Sequence, residues 1–176
     1  LVFTHFGISG PLVFSASGRA VDWLDAQQAV HAALDLKPGL SFEQIDRRLQ
    51  RDFRQEPKKS LRTALKGLLP MRMADIFISR LKLNADTRCN QVTAADRQRI
   101  RGMLKRFPMV VTGSLPIEEA MVTRGGVSLK DIDPRTMGSR LIKGLYFAGE
   151  MIDVDADTGG FNLQAAFSTG YLAGES

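Results

Sequence analysis

The sequence is poor in the residues that form covalent cross-links and metal sites. It has one cysteine, Cys89, so no disulfide can form within the chain, and we expect a reducing compartment, the cytoplasm. The two histidines, His5 and His31, lie far from each other and from the cysteine, which is not a metal-ligand pattern. We therefore expect no metal site, and we expect structural roles for both histidines.

Long apolar runs are also missing. No stretch approaches the roughly 20 apolar residues of a membrane span, so we expect no membrane partner. Residues 1–7 contain no initiator Met and no basic n-region, so they do not resemble a signal peptide. These residues indicate that the sequence begins inside a strand, so we expect the chain to be a fragment of a longer protein.

Charge is unevenly distributed along the chain. The net charge is +5, but residues 43–106 hold 17 Lys and Arg against 7 Asp and Glu, while the rest holds 7 against 12. A hydrophobic content of 44% is ordinary for a globular protein. A basic middle between acidic ends predicts two structural units, one inserted into the other.

Apolar periodicity predicts helices in the middle of the chain and strands on either side of it. Ser41 is expected to cap a helix whose apolar residues recur at helical spacing, and Thr93 to cap another that ends near Phe107. Ser9 is expected to cap a short helix near the start of the chain. Further helices are predicted at residues 60–69, 71–81 and, after a glycine-rich turn at 158–162, at 163–171, and strands at residues 30–36, 109–112, 120–123 and 144–150. The predicted fold class is α+β, with domains at 1–36, 37–108 and 109–176.

The residues with the clearest chemistry lie between 144 and 163. A predicted buried strand ends in Gly149 and Glu150, the position where α/β sheets contact ligands, and a carboxylate there can accept hydrogen bonds from two hydroxyls. Ten residues later, Gly159 and Gly160 precede a helix, whose first N–H groups favour negative charge. The alternative to a ligand site is a strand, a turn and a helix that pack against one another and bind nothing.

Four stretches carry a resemblance to a known family. They are residues 4–11 (THFGISGP), 123–128 (TRGGVS), 136–139 (TMGS) and, above all, 144–164. In order and spacing they resemble the bacterial FAD-dependent oxidoreductases of the NAD(P)/FAD-dependent or aminoacetone-oxidase type. The middle helical module resembles that family only in layout.

This resemblance implies a fold, a cofactor and a set of site residues. The helical insert would be carried on the C-terminal strands and helix of a Rossmann-like FAD-binding domain, and residues 1–36 would end a β-rich substrate domain. Glu150 would bind the ribityl chain, with Asp153 as a second polar contact. The remaining residues expected near the flavin are Gly125, Gly126, Gly149, Gly159, Gly160, Phe161, Asn162 and Leu163. Phe161 stands where the family often has Tyr, Arg124 where it has a small residue, and Gly138 where it has an acid.

The implied reaction is hydride transfer between a small-molecule substrate and flavin N5, with oxygen or a nicotinamide as the other electron partner. No residue is assigned as a catalytic acid or base. The family's G-x-G-x-x-G, which places the pyrophosphate at a helix N-terminus, is absent from this sequence. We therefore expect FAD only in the full-length parent, and weak or no binding by the isolated chain; a micromolar or tighter titration would contradict this.

The basic middle has a second interpretation. Its arginines could follow a nucleic-acid backbone, but its few aromatic residues have the spacing of a core, so a solvated helical face is favoured and a nucleic-acid partner is not expected. A third possibility is a surface that contacts the remaining domains of the parent chain or attracts an anionic substrate.

Overall fold

The computed structural model describes residues 1–26 and 29–176, which form two compact units. Unit 1 comprises Leu1–Val30 and Val111–Ser176, and unit 2 comprises His31–Val110. The described residues contain six α-helices and two two-stranded sheets, so the α+β class is confirmed. The three predicted domains and the Rossmann-like assignment stay predictions.

Unit 1 begins with a short hairpin and a helix. Strands β1 (Val2–Phe3) and β2 (Ile8–Ser9) pair antiparallel, and helix α1 (Pro11–Ala26) follows. The predicted capping role of Ser9 is wrong because Ser9 lies in β2, and the Gly10 carbonyl accepts the first helical hydrogen bonds. Gly10 has a φ of 101°, which lets the chain turn directly from strand to helix.

Unit 2 is mainly helical. Helices α2 (Phe42–Gln55), α3 (Leu61–Leu65), α4 (Met71–Arg80) and α5 (Ala94–Lys105) lie between β3 (Val30–Leu34) and β4 (Phe107–Val111), which form the second sheet. The predicted caps are confirmed: Ser41 forms a capping box with Gln44, and the Thr93 hydroxyl accepts from the Asp96 N–H.

Two helix ends in unit 2 differ from prediction. Helix α3 stops at Leu65 rather than at residue 69, and the chain continues in turns in which the Gly67 N–H donates to the Ala64 carbonyl at 3.1 Å. Helix α5 stops at Lys105, and Phe107 begins β4. The Phe107 ring stacks on Phe77, with 6.4 Å between centroids, so it serves the core from a strand.

Most of the buried apolar side chains belong to unit 2. Its core takes one stripe from each of α2, α3, α4 and α5, and it includes Cys89. Unit 1 has a small cluster of three buried residues, Ile132, Met137 and Ile152. None of the described helices combines the length and the apolar character needed to cross a bilayer.

Two predicted strands in unit 1 are wrong. Residues 120–123 form a bend, and residues 144–150 contain only an isolated bridge between Tyr146 and Gly138. Leu145 and Tyr146 are 39% and 42% exposed, so this segment is not the expected buried strand. A strand needs a neighbouring strand to pair with, and in the described residues only the Tyr146–Gly138 pair forms. In addition, Gly144 has a φ of 79°, which turns the chain away from extended geometry.

Candidate functional site

Gly126 packs directly against the segment that contains Glu150 and Asp153. The Val127 N–H donates to the Met151 carbonyl at 2.8 Å, and the Asp153 N–H donates to the Val127 carbonyl at 3.1 Å. A Cβ atom at Gly126 would collide with the Met151 carbonyl oxygen and lie 3.1 Å from the Asp153 nitrogen. Glycine is therefore required here for a close approach of two backbones.

Glu150 lies in a short 3₁₀-helix, Gly149–Met151, rather than at a strand end. The Gly149 N–H donates to the Thr169 hydroxyl at 3.0 Å, and this hydroxyl donates to the Ala165 carbonyl, which ties the segment to the last helix. The Glu150 side chain is exposed and has no hydrogen bond or ion pair to any residue in the described part of the chain. Its carboxylate is therefore available to accept hydroxyl hydrogen bonds from a ligand.

The last helix, α6 (Phe161–Glu175), begins as predicted after the two glycines. Gly160 is its N-cap at φ 87°, and no side chain caps it. The first N–H groups of a helix have no intrahelical partners, so an uncapped start favours negative charge. Phe161 and Leu163 on this first turn are 61% and 63% exposed, which leaves apolar surface beside the N–H donors.

Asn162 has a structural role that the sequence did not predict. Its side-chain amide accepts from the Ala156 N–H at 2.8 Å and donates to the Ala156 carbonyl at 2.9 Å. This pair of bonds closes the loop between the Glu150 segment and α6. One N–H of the amide and one lone pair of its oxygen remain for a ligand.

Some of the residues predicted to contact the flavin lie together in unit 1, and others do not. Gly149, Glu150 and Asn162 line one groove of about 30 Å³, the volume of a single water, with Ala166 and Thr169 of α6. Gly126 reaches the same segment through its contact with Met151 and Asp153, whereas the Cβ position of Gly125 has no atom within 4 Å. The groove is not lined by Asp153, by Gly159 and Gly160 before α6, or by Phe161 and Leu163 in its first turn.

Sequence reasoning missed Arg124 as a positioning residue. Its guanidinium donates two hydrogen bonds to the carboxylate of Asp22 on α1, one of them at 3.0 Å, and these bonds lower the pKa of Asp22. The guanidinium passes close to Gly18, where a Cβ atom would lie 3.5 Å from its Nη1 atom, an ordinary van der Waals contact. The pair fixes the residue just before Gly125, but its partners are 102 positions apart, which no local pattern reveals.

A family match covers most of the chain. The family described as "HI0933-like protein barrel and H2TH domain" matches residues 1–122. The chain belongs to the HI0933-like family. Helices α2 to α5 lie inside the matched residues, whereas the two short sheets of the described residues have fewer strands than a closed barrel needs.

Curated proteins similar to this HI0933-like chain include two with the same name. The "Ribosomal RNA dihydrouridine synthase" of Haemophilus influenzae is 32% identical over 97% of the chain and 40% of that protein. The protein of the same name from Escherichia coli is 31% identical over 99% of the chain and 41% of its own length. A "3-dehydro-bile acid delta(4,6)-reductase" of Clostridium scindens is 27% identical over 98% and 42%.

The chain spans about two fifths of the length of these relatives. The alignments cover almost the whole chain, including most of residues 123–176 beyond the family match, where the candidate site lies. The relatives' names are consistent with an oxidoreductase of the flavoprotein type, which is the class that the sequence resembles.

Proposed function

We propose that the full-length HI0933-like protein is an FAD-dependent reductase whose flavin lies against unit 1. The observation that carries the proposal is that three elements meet in this unit: the Gly125–Gly126 turn, the free carboxylate of Glu150 and the uncapped start of α6. A helix start with open glycines offers N–H donors, and an adjacent carboxylate offers hydroxyl acceptors. This donor and acceptor set fits the two ends of a ribityl flavin.

Each residue has a distinct task in this proposal. Glu150 accepts hydrogen bonds from the ribityl hydroxyls, and Asp153 adds a second polar contact. The first N–H groups of α6 face the pyrimidine edge of the flavin, where negative charge accumulates on reduction, and so they raise the reduction potential. Phe161 and Leu163 shield that edge from water. These elements would complete a Rossmann-like FAD domain formed with the rest of the full-length protein.

The direction of the reaction is inferred from the relatives' names. Dihydrouridine differs from uridine by two hydrogens added across a ring double bond, and a delta(4,6)-reductase is named for the same kind of change. We therefore infer an organic substrate with an activated carbon–carbon double bond. The double bond gains a hydride and a proton, the flavin supplies the hydride at N5 and is oxidised, and the proton comes from solvent.

The test is the visible spectrum of the purified full-length protein. We expect a yellow protein whose flavin absorbance bleaches on anaerobic addition of dithionite. The substitution Glu150→Ala should weaken FAD binding roughly tenfold to a hundredfold, because hydrogen bonds to charged groups contribute about 1.5–3 kcal/mol.

Glu175→Ala is the matched control, because Glu175 lies at the far end of α6, about 20 Å along the helix from its start. This variant should retain wild-type FAD affinity. A colourless full-length protein, or equal FAD affinities for the two variants, would contradict the proposal.

A further inference from the structure

Helix α2 presents a row of arginines on the side opposite its buried residues. Positions i, i+4 and i+7 of a helix share one side, so Arg47, Arg51 and Arg54 form a row. Gln50 and Gln55 lie beside them on the same solvent-facing side of α2. We call these five residues the arginine face.

The charge of the arginine face is largely unneutralised. Arg47 and Arg54 form no ion pair with the residues that the structure describes. Arg51 is 3.3 Å from Asp52, but that carboxylate is closer to Arg48, at 2.6 Å. An exposed guanidinium that shares its only carboxylate remains available to an external anion.

The whole of unit 2 reinforces this charge. Residues 31–110 contain 18 Lys and Arg against 8 Asp and Glu, whereas the rest of the chain is acidic. A positive surface of this kind raises the local concentration of polyanions and speeds their association. The attraction is therefore specific to unit 2 and is not an average property of the protein.

The chemistry of the arginine face fits a phosphate chain. Guanidinium groups bind phosphate with two hydrogen bonds, which ammonium groups do not match in geometry. Eight helical residues from Arg47 to Arg54 extend about 10 Å, which suits successive phosphates better than one small anion. The five residues of the arginine face include no aromatic side chain, so they offer no base stacking, and recognition through backbone and shape is favoured.

We propose that the arginine face binds the sugar–phosphate backbone of a structured RNA, which makes RNA the substrate class of the reductase. This inference rests on the proposed function, and two relatives are named for action on ribosomal RNA. Composition alone favoured a solvated helical face. The row of three exposed arginines, which shares one carboxylate with Arg48, favours a ligand instead.

The test measures RNA binding by the full-length protein. A fluorescein-labelled RNA hairpin of 30 nucleotides is the probe, and anisotropy titrations are made between 50 and 200 mM KCl. The triple variant Arg47→Gln, Arg51→Gln, Arg54→Gln should lose about tenfold or more in affinity. Its slope of log affinity against log salt should be smaller by about 2–3, because each phosphate contact contributes a little under one unit.

The matched control removes three other exposed arginines of unit 2, Arg72, Arg88 and Arg106, which lie on other elements and lower the charge equally. It should bind the hairpin nearly as tightly as wild type. Equal losses in the two triple variants would mean diffuse charge attraction and would overturn the proposal, as would no binding by the wild type at 150 mM KCl. Flavin absorbance is recorded for every variant, so failure of the reductase proposal appears there, separately from RNA affinity.

Discussion

Replacing Gly126 with alanine would place a Cβ atom against the backbone of residues 151–153. The new atom would collide with the Met151 carbonyl oxygen and lie 3.0 Å from its carbonyl carbon. The colliding atoms are backbone, so no side chain can rotate away. The Met151 oxygen also accepts the hydrogen bond from Val127, so relieving the collision separates the two segments that hold Glu150 beside the Gly125–Gly126 turn.

The expected cost has two parts. Gly126 has a φ of 140°, and forcing alanine to positive φ costs about 1–2 kcal/mol. Separating the segments weakens two backbone hydrogen bonds of about 0.5–1.5 kcal/mol each. We expect Gly126→Ala to lower the free energy of unfolding of unit 1 by about 2–5 kcal/mol. The small cluster of three buried residues in this unit offers little packing to absorb the change.

Gly125→Ala is the matched control. Gly125 also has positive φ, at 102°, but no atom lies within 4 Å of its Cβ position. This variant should incur only the conformational strain, about 1–2 kcal/mol. Thermal unfolding and FAD content of the full-length protein are measured for both variants. If Gly126→Ala were as stable and as yellow as Gly125→Ala, the close approach would have no role and the reasoning would be refuted.

Three further predictions concern unit 2. Phe77 is fully buried, so Phe77→Ala should cost about 3–5 kcal/mol in urea denaturation followed by helical circular dichroism, and a loss under 1 kcal/mol would contradict this core. Burial alone would raise the pKa of Asp46, but hydrogen bonds from Arg97 and Gln50 outweigh it and lower the pKa. The ionised Asp46 carboxylate therefore stabilises the folded state above its unfolded pKa of about 3.9, and this stabilisation is lost as pH falls through the folded pKa. Asp46→Asn should lower the free energy of unfolding by about 1 kcal/mol at pH 7, and the difference from wild type should vanish near pH 2. Burial also raises the pKa of the Cys89 thiol, which should react with Ellman's reagent only after denaturant is added; complete labelling of the native protein within seconds would show that the core is open.

The helical unit was largely predictable because its signals are local. Ser41 and Thr93 cap the helices that they were expected to cap, since a side-chain oxygen accepts from an N–H three residues on, whatever the rest of the protein does. The apolar stripe of α2 likewise fixes which side of the helix is buried. The helix ends were predicted less well: α3 ends at Leu65, four residues before the predicted end.

The predicted strand that ends at Glu150 was wrong because strands depend on distant partners. Residues 144–150 have the apolar content of a strand, but pairing must come from another part of the chain, and one bridge is all that the described residues provide. The Arg124–Asp22 pair could not be predicted for the same reason. The glycines were easier, because a positive φ excludes most other residues; Gly125, Gly126, Gly149 and Gly160 all adopt it.

Flavin binding and RNA binding are proposed to depend on different interactions, so different substitutions should affect them. The flavin surface of unit 1 depends on a close approach of two backbone segments that holds Glu150 in place, so a change of one Cβ atom at Gly126 should alter FAD binding without changing the net charge. The arginine face of unit 2 is built from exposed guanidinium groups, so charge removal should alter RNA affinity without disturbing the core beneath α2. Gly126→Ala should therefore reduce flavin content but not RNA affinity, and the arginine triple variant should do the reverse. If either variant lost both flavin content and RNA affinity, the two functions could not be assigned to separate surfaces, and this part of the proposal would be wrong.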